Sequence, residues 1–509
     1  MVTAATWSVA FMGLEGVLIE VEAAVSGQGT PRTVLVGLPD AALNEAKERV
    51  RAGLASVGYR WPDSALTINL SPAHLPKNGT HYDLPIAAAV LGVMGAVENV
   101  AQPRTVMLGE LGLAGHIRPV RGVLPALLAA SKAGFERAIV PAEQAAEAEL
   151  VGGMTVWGVG HVLELVDVLN GGAVSSPLPS SGGAEPILMY QPDLADVRGH
   201  ADAKFALEVA AAGRHHLFFH GAPGIGKTML ASRLPSILPD LDLEESLEVS
   251  ALHSLAGVPL DGLISRPPYS DPHHTSTLVS LVGGGAREIR PGSISLAHRG
   301  VLFLDEAPEF GARALESLRV PLESGLITIG RAMHQVRFPA SFQLILAANP
   351  CSCGYSGVAG KECRCQPLSV LRYQERISGP ILDRIDIRHQ LSSQTRLLGP
   401  ADEHPEEPSA AVLARVQEAR ERQRARLAKS PWRTNGEVSG AFLRKQLPLP
   451  TDLRPVNSAL SRGTLSARGV DKVLRISWTL ADLAGHDRIG PTELRAAMQL
   501  RLGEQAVPA

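Results

Sequence analysis

A glycine-rich loop near the middle of the chain has the composition of a phosphate-binding site. It begins at Gly221, ends in Lys227 and Thr228, and directly follows the apolar run Leu217–His220. Backbone N–H groups in such a loop can curl around phosphate oxygens, and a helix that starts there adds partial positive charge. We expect Lys227 to reach the β- and γ-phosphates of ATP and Thr228 to offer its hydroxyl to Mg²⁺. The residues expected to contact the nucleotide are Gly221, Ala222, Pro223, Gly224, Ile225, Gly226, Lys227 and Thr228.

A pair of carboxylates follows a second strand-like run. Val301–Leu304 is apolar, and Asp305 and Glu306 come directly after it. Open α/β sheets bind their ligands at the carboxyl ends of strands. Asp305 would therefore complete the Mg²⁺ site, and Glu306 would polarise the attacking water. The pattern is weak alone, and the phosphate-binding loop earlier in the chain strengthens it.

A third apolar run ends in Asn349. An amide at that strand end can orient the water beside the γ-phosphate. The alternative is that Asn349 forms an Asx turn before Pro350, and both roles can hold together.

All the cysteines of the chain fall in one short segment, residues 351–365. Four thiolates can complete a tetrahedral Zn²⁺ site. Their C-x-C spacing is tighter than the usual C-x₂₋₄-C, so disulfides and free thiols remain alternatives. The candidate zinc ligands are Cys351, Cys353, Cys363 and Cys365.

Length and composition limit the class of protein. The chain has 509 residues, 45% of them hydrophobic, and a net charge of −3, which suggests about three domains and excludes a uniformly basic nucleic-acid binder. Residues 1–20 lack the cationic start of a signal peptide, and the longest apolar run, 84–97, is too short to span a bilayer. We therefore expect a cytoplasmic protein without a membrane partner.

The order of strand-like and helical runs predicts an α/β protein with several domains. Residues 1–170 alternate short strands with helices, and the Pro/Gly-rich segment 171–186 is typical of a flexible linker. Residues 187–392 show the alternation of a doubly wound parallel sheet. Residues 393–509 are predicted to form a helical domain, whose helices follow a polar, proline-rich break at 400–409.

Several motifs share the order and setting found in one known family. They are residues 196–200, 221–228, 272–275, 283–285, 297–306, 349–354 and 376–386. Together they resemble the ComM/YifB family of magnesium-chelatase-like AAA+ ATPases over almost the whole chain. The resemblance implies an AAA+ domain with bound ATP and Mg²⁺, a C-terminal helical lid and a homo-oligomeric ring, with six subunits by analogy.

The resemblance also implies two arginines that act on nucleotide. Arg384 lies where related proteins carry an arginine finger, which reaches the γ-phosphate bound by a neighbouring subunit. Arg468 matches the sensor-2 arginine at the start of a lid helix and would couple lid position to nucleotide state. By position alone, either could be an ordinary surface arginine.

Basic residues in predicted loops are candidates for DNA contact. Arg287 and Arg290 fall in a loop after three glycines, and Arg331 lies at the turn of a predicted hairpin before Asn349. They are candidates for contacts with the phosphate backbone, and solvated loop arginines are the alternative. The arginine-rich segment 415–426 is most simply a solvated helix face with i,i+4 ion pairs, and contact with DNA or another subunit is the second interpretation.

The N-terminal domain resembles the proteolytic domain of Lon. Residues 77–83 fall where Lon carries its nucleophile, and 108–130 fall where it carries its lysine. His81 occupies the serine position and Leu124 the lysine position in this alignment. Because leucine cannot deprotonate a hydroxyl, we expect no peptidase activity from this dyad.

The resemblance implies a DNA helicase or branch-migration translocase that acts on single-stranded or branched DNA, in homologous recombination or natural transformation. The alternative is a protein-remodelling or metal-chelatase-type motor that acts on a protein partner. A nucleotide-switched scaffold is a third hypothesis. The set of hydrolytic residues argues against it, because a switch has less need of a catalytic base and an arginine finger.

Overall fold

The N-terminal domain is built on a mixed β-sheet. The computed structural model of the chain describes residues 2–26, 30–37, 41–97, 104–172, 192–285, 289–330, 335–358, 360–392 and 406–503. The strands of this domain are β1 (Val2–Met12), β2 (Glu15–Ser26), β3 (Arg32–Val36), β4 (Ala65–Ser71), β5 (Thr105–Met107), β6 (Glu110–Leu111), β7 (Ile117–Arg118), β8 (Arg137–Pro141) and β9 (Thr155–Val159). The helices are α1 (Ala41–Ser56), α2 (Asp83–Val93), α3 (Val123–Lys132), α4 (Ala145–Glu149) and α5 (Val162–Leu169).

Seven of these strands form one sheet, in the order β3-β4-β2-β1-β5-β8-β9. β1 and β2 make a long antiparallel hairpin, whereas β1, β5, β8 and β9 run parallel. α2 packs against the hairpin and is buried from Asp83 to Leu91. The longest apolar run of the sequence is therefore a core helix. Within the described ranges, no helix combines the length and the apolar character that crossing a bilayer requires.

Both positions of the Lon dyad are buried and serve packing. His81 is 6% exposed and donates from Nε2 to the carbonyl of Val9 at 2.8 Å. Leu124 is fully buried in an apolar cluster with Ala251 and Leu260, which belong to the next domain. The lysine position of a Lon-like site thus lies inside a contact between domains.

The second domain contains a parallel sheet with helices on both faces. Its strands are β10 (Leu217–His220), β11 (Tyr269–Ser270), β12 (Gly283–Gly284), β13 (Arg290–Pro291), β14 (Val301–Leu304), β15 (Leu326–Gly330), β16 (Gln335–Pro339), β17 (Gln343–Ala348) and β18 (Ile387–Gln390). Its helices are α6 (Ala201–Gly213), α7 (Lys227–Ala231), α8 (Leu243–Ala256), α9 (Leu278–Val282), α10 (Ser293–Leu296), α11 (Ala312–Glu316), α12 (Arg319–Ser324), α13 (Pro367–Gln374) and α14 (Gly379–Leu382).

The order of the main sheet is β11-β14-β17-β10-β18, with every pair parallel. The predicted α/β class with a doubly wound parallel sheet is confirmed. Three adjacent strands, β14, β17 and β10, end at the same edge, followed by Asp305, Asn349 and the loop from Gly221. The hairpin predicted before Asn349 is also present as β15 paired with β16.

Helices make up the C-terminal part of the chain, as predicted. They are α15 (Ser409–Leu427), α16 (Gly440–Gln446), α17 (Arg454–Ser461), α18 (Ala467–Ala484) and α19 (Pro491–Leu502). α18 packs against α6, α15 and α19. A buried ion pair fixes it to the end of the sheet, because Lys472 Nζ lies 2.7 Å from Asp386 Oδ1. Burial alone would raise the pKa of Asp386, but the cationic Lys472 beside it holds that pKa below its ordinary value.

The arginine-rich segment on α15 is mainly structural. Arg420 donates to the carbonyl of Ala211 at 2.7 Å, and Arg426 pairs with buried Asp482 at 2.6 Å. The prediction of a solvated face is wrong for these two arginines, because Arg420 joins α15 to α6 and Arg426 joins α15 to α18. Arg422 does make the expected i,i+4 ion pair, with Glu418 at 2.6 Å.

Parts of the predicted linkers lie outside the described residues. The residues outside the described ranges are 173–186 of the first linker, 187–191 beyond it, and 393–405, which include the first part of the break at 400–409.

Buried His215 makes the fold sensitive to acid. Burial lowers the pKa of His215 to about 4 from an ordinary 6.5. The unfolded chain therefore binds a proton more readily between those values, so the stability from neutral His215 is present above pH 6.5 and lost as pH falls toward 4. We expect this residue to lower the free energy of unfolding by about 2 kcal/mol between pH 7 and pH 5.

The measurement is urea denaturation at both pH values, followed by tryptophan fluorescence. His215→Gln keeps a polar side chain near Thr479, whose hydroxyl is 2.8 Å from His215 Nε2, but it has no proton to gain. The variant should lose about 2 kcal/mol less than the wild type on acidification. Equal losses in the two proteins would contradict this role of His215.

Candidate nucleotide-binding site

The phosphate-binding loop has the strand, turn and helix setting that its sequence predicts. β10 ends at His220, the loop follows, and Gly226 takes a left-handed conformation (φ +93°) immediately before α7 begins at Lys227. Lys227 Nζ donates to the carbonyls of Gly221 at 2.7 Å and Ala222 at 2.8 Å. The lysine is thus held over the loop that precedes it.

Asn349 reaches this lysine from the neighbouring strand. Its Oδ1 accepts from Lys227 Nζ at 2.8 Å. Burial lowers the pKa of Lys227, and the carboxylates of Asp305 and Glu306 oppose that shift. Phosphate oxygens would likewise favour the charged amine, so binding of an anion here relieves the cost of burying Lys227.

Thr228 and Asp305 form the candidate Mg²⁺ site. Thr228 Oγ1 donates to Asp305 Oδ2 at 2.5 Å. The other carboxylate oxygen of Asp305 accepts from the backbone N–H of Glu306 at 2.8 Å, which fixes the orientation of the group. Hydroxyl and carboxylate oxygens are the donors that Mg²⁺ prefers, so these side chains fit the metal that the sequence predicts.

Glu306 occupies a strained backbone position beside a histidine. Its φ of +50° lies in the left-handed region that residues other than glycine rarely adopt. His274 Nδ1 lies 3.6 Å from Glu306 Oε2. The sequence predicted no role for His274, although this residue lies in the family motif at 272–275.

Arg384 and Arg468 lie together, in a cavity of about 710 Å³ that also contains Lys472. Arg384 donates to the carbonyl of Pro380 at 2.7 Å and pairs with Glu323. Arg468 lies 3.4 Å from Asp383. Among the described residues that line this cavity, none belongs to the loop 221–228 or to the acid pair. The structure therefore places both arginines at one cavity, away from the phosphate-binding loop of the same chain.

Of the three candidate DNA contacts, the structure describes one. Arg290 is exposed in β13, which pairs with β12. Arg287 and Arg331 lie outside the described residues. Arg290 therefore remains a candidate.

The four cysteines converge. Sγ of Cys351 is 3.3 Å from that of Cys353 and 3.8 Å from that of Cys363, and the last two are 3.6 Å apart. All four sulfurs, including that of Cys365, lie within 4.8 Å of one another. The cluster is compatible with a structural zinc site.

Comparison with known proteins defines the class. Models of the magnesium chelatase subunit ChlI match residues 193–397 and, as its C-terminal region, 406–501. A model of subunit ChlI of Mg-chelatase matches 21–144. With the parallel sheet and the loop at Lys227, these matches make the chain a magnesium-chelatase-like AAA+ ATPase.

Similar proteins identify the family within this class of ATPases. The chain is 47% identical to an uncharacterized protein of Mycobacterium tuberculosis, over 97% of this chain and 98% of that protein. It is 38% identical to competence protein ComM of Haemophilus influenzae, over 98% of each chain. It is also 38% identical to the uncharacterized protein YifB of Escherichia coli, over 97% of this chain and 96% of YifB. The chain belongs to the ComM/YifB family.

The Lon-like character of the N-terminal domain also has support. Lon protease 2 of Bacillus subtilis is 30% identical over 122 residues, which cover 24% of this chain and 21% of the protease. The match is confined to a small part of each chain, so it concerns fold and not activity.

The position of Glu306 leads to a prediction about hydrolysis. Glu306→Gln removes the carboxylate that would accept a proton from water but leaves Lys227, Thr228 and Asp305 in place. We expect unchanged ATP affinity and a turnover reduced by about a hundredfold or more. Phosphate release and binding of a fluorescent ATP analogue measure the two quantities.

The matched control is Glu309→Gln. Glu309 is a nearby exposed carboxylate that pairs with Arg376 at 2.9 Å, and its loss should leave turnover near the wild-type value. Normal turnover in Glu306→Gln would remove Glu306 from its assigned role.

Proposed function

We propose that the chain is an ATP-hydrolysing ring motor that works on DNA in the cytoplasm. In this proposal it is a helicase or branch-migration translocase acting on single-stranded or branched DNA, in homologous recombination or natural transformation. The observation that carries the ATPase part is the convergence of Lys227, Thr228, Asp305 and Asn349 at one edge of the sheet. The DNA part draws on the relative named a competence protein.

The side chains of the site divide the work of hydrolysis. Lys227 would neutralise phosphate charge from within the loop, and Thr228 and Asp305 would hold the metal. Mg²⁺ supplies further charge neutralisation on the phosphates when it is bound. Glu306 accepts the proton of the attacking water, and Asn349 orients that water from a position fixed by its bond to Lys227.

The position of Arg384 supports a ring. Arg384 shares a cavity with Arg468 and not with the loop 221–228 of its own chain. An arginine finger needs a γ-phosphate within reach, and a neighbouring subunit is the source that satisfies this need. Arg468 lies in the first turn of α18, so it would couple lid position to the same bound nucleotide. We propose a homo-oligomeric ring, with six subunits by analogy.

One observation favours a second candidate function. The three family models that match the chain are models of a magnesium chelatase subunit. A motor that remodels a protein partner, or drives metal insertion through one, would use the same ATP site. This candidate differs from the first in what stimulates hydrolysis.

The DNA proposal is tested by measuring ATP turnover without DNA, with single-stranded DNA and with forked DNA. We expect stimulation by DNA that weakens as salt rises from about 50 to about 200 mM, because phosphate contacts release counterions. Glu306→Gln controls for contaminating ATPases. No response to either DNA, together with stimulation by a protein partner, would replace the first candidate by the second.

The ring proposal gives a prediction for Arg384→Ala. The variant should bind ATP but turn it over about a hundredfold more slowly or worse. When it is mixed with Glu306→Gln subunits, some interfaces combine an intact Arg384 with an intact Glu306, so turnover should rise above that of either variant alone.

Arg376→Ala is the control for this mixing experiment. It removes an exposed arginine from the same motif and should keep its own turnover. An Arg384→Ala mixture that stays as inactive as its components would show that the arginine does not act between subunits.

A further inference from the structure

The cysteine cluster has the dimensions of a metal site. In a tetrahedral site with Zn–S bonds of about 2.3 Å, neighbouring sulfurs lie about 3.8 Å apart. The sulfur–sulfur separations among Cys351, Cys353 and Cys363 run from 3.3 to 3.8 Å. Bonded sulfurs in a disulfide are about 2.05 Å apart. The arrangement therefore matches four ligands around one ion more closely than two disulfides.

Backbone N–H groups point at the sulfurs. The N–H of Ser356 donates to Cys351 Sγ at 3.3 Å, and the N–H of Cys365 donates to Cys363 Sγ at 3.4 Å. Such bonds stabilise negative charge on sulfur and orient it, as outer-shell groups do around metal ligands. Each donor follows its cysteine by only two or five residues, so each hydrogen bond also holds a turn of the chain beside a C-x-C pair.

The segment that carries the first two cysteines touches the candidate nucleotide site at two points. The segment that carries the first two cysteines begins at Asn349, whose amide oxygen is 2.8 Å from Lys227 Nζ. It continues to Gly354, which has a φ of +86° and approaches the phosphate-binding loop so closely that a Cβ there would lie 2.3 Å from Cγ of Pro223. Both ends of residues 349–354 therefore contact the loop that would hold phosphate.

The opposite side of the segment rests on α13. Gln374 Nε2 donates to the carbonyl of Pro350 at 3.0 Å, and Cys351 is fully buried. The second cysteine pair, Cys363 and Cys365, lies just before this helix. A metal that joins the two pairs would close the loop 351–365 and hold residues 349–354 between α13 and Pro223.

We propose that Cys351, Cys353, Cys363 and Cys365 bind one Zn²⁺ that braces the ATP site. This inference rests on the proposed ATP-binding function, because the braced elements are Pro223, Lys227 and Asn349. The metal has no catalytic part. It fixes the position of Asn349 and the wall of the phosphate-binding loop, so its removal weakens nucleotide binding.

The first test measures metal without nucleotide. Full-length protein purified under reducing conditions should contain about one zinc ion per chain, measured by elemental mass spectrometry. Cys363→Ser and Cys365→Ser, which change ligands away from Asn349, should lose it. Ser356→Ala is the matched control in the same loop and keeps the backbone donor, so it should retain zinc. Zinc-free wild type with reduced thiols, or with two disulfides, would overturn the proposal.

The second test measures coupling to the ATP site. Zinc is removed from wild-type protein with a chelator and then restored, while circular dichroism checks that the fold persists. The Kd of a fluorescent ATP analogue should rise about tenfold on removal and recover on restoration. Because this comparison uses the wild-type chain, it tests the effect of zinc on ATP binding even if the serine variants fail to fold.

Lys227→Ala separates this inference from the proposed ATP site. It should lose ATP binding and keep its zinc. Retained zinc with no ATP binding in the wild type would defeat the proposed function and leave the metal site standing. Zinc loss that leaves the Kd for ATP unchanged would overturn the brace.

Discussion

The buried amine of Lys227 is the interaction on which the candidate site depends. It lies between the carbonyls of its own loop and the amide of Asn349, and this is possible only because β10 and β17 are adjacent and parallel. Strand order also brings β14 to the other side of β17, so that Asp305 meets Thr228. A positive charge held out of water in this way is costly until an anion arrives. The sheet therefore prepares a site for phosphate before any ligand binds.

The opposite edge of the sheet, where the parallel strands begin, is connected to the lid through one short segment. Residues 383–386 contain Asp383, which pairs with Arg468, and Asp386, which pairs with Lys472. Arg384 lies between these two acids in the chain, and its carbonyl accepts from Lys472 at 2.8 Å. Because Arg468 and Lys472 are both on α18, a change in lid position moves the contacts on either side of Arg384. A finger offered to a neighbouring subunit would thus depend on the state of its own lid.

The parts of the fold that the sequence predicted are those with a strong local signal. β10 and β14 have the expected bounds, because each is a short apolar run that ends at a polar motif. The long β1–β2 hairpin was not identified, since small residues such as Ala23 and Ala24 weaken the alternation that marks a strand. The arginines of α15 were misread because composition does not show which carbonyls or acids face them. The contact between His274 and Glu306 could not be predicted from the sequence, because it depends on the path of the turn after β11.

The N-terminal domain is joined to the AAA+ domain at Leu124, the lysine position of the Lon-like dyad. Buried Glu147 accepts from the N–H of Leu124 at 3.0 Å and from the hydroxyl of Ser254 on α8. At the turn of the β1–β2 hairpin, Gly13 approaches β16 so closely that a Cβ there would lie 2.1 Å from the carbonyl oxygen of Arg337.

β16 belongs to the hairpin whose turn was predicted to face DNA. Phe11 and Leu14 pack with Leu252, Val336 and Phe338 in one apolar cluster, which joins the N-terminal hairpin, α8 and β16. The N-terminal domain therefore packs on α8 and on the β15–β16 hairpin of the AAA+ domain. Any displacement of α8 or of the β15–β16 hairpin during an ATP cycle must be followed by the N-terminal domain, or these apolar contacts would be lost to water.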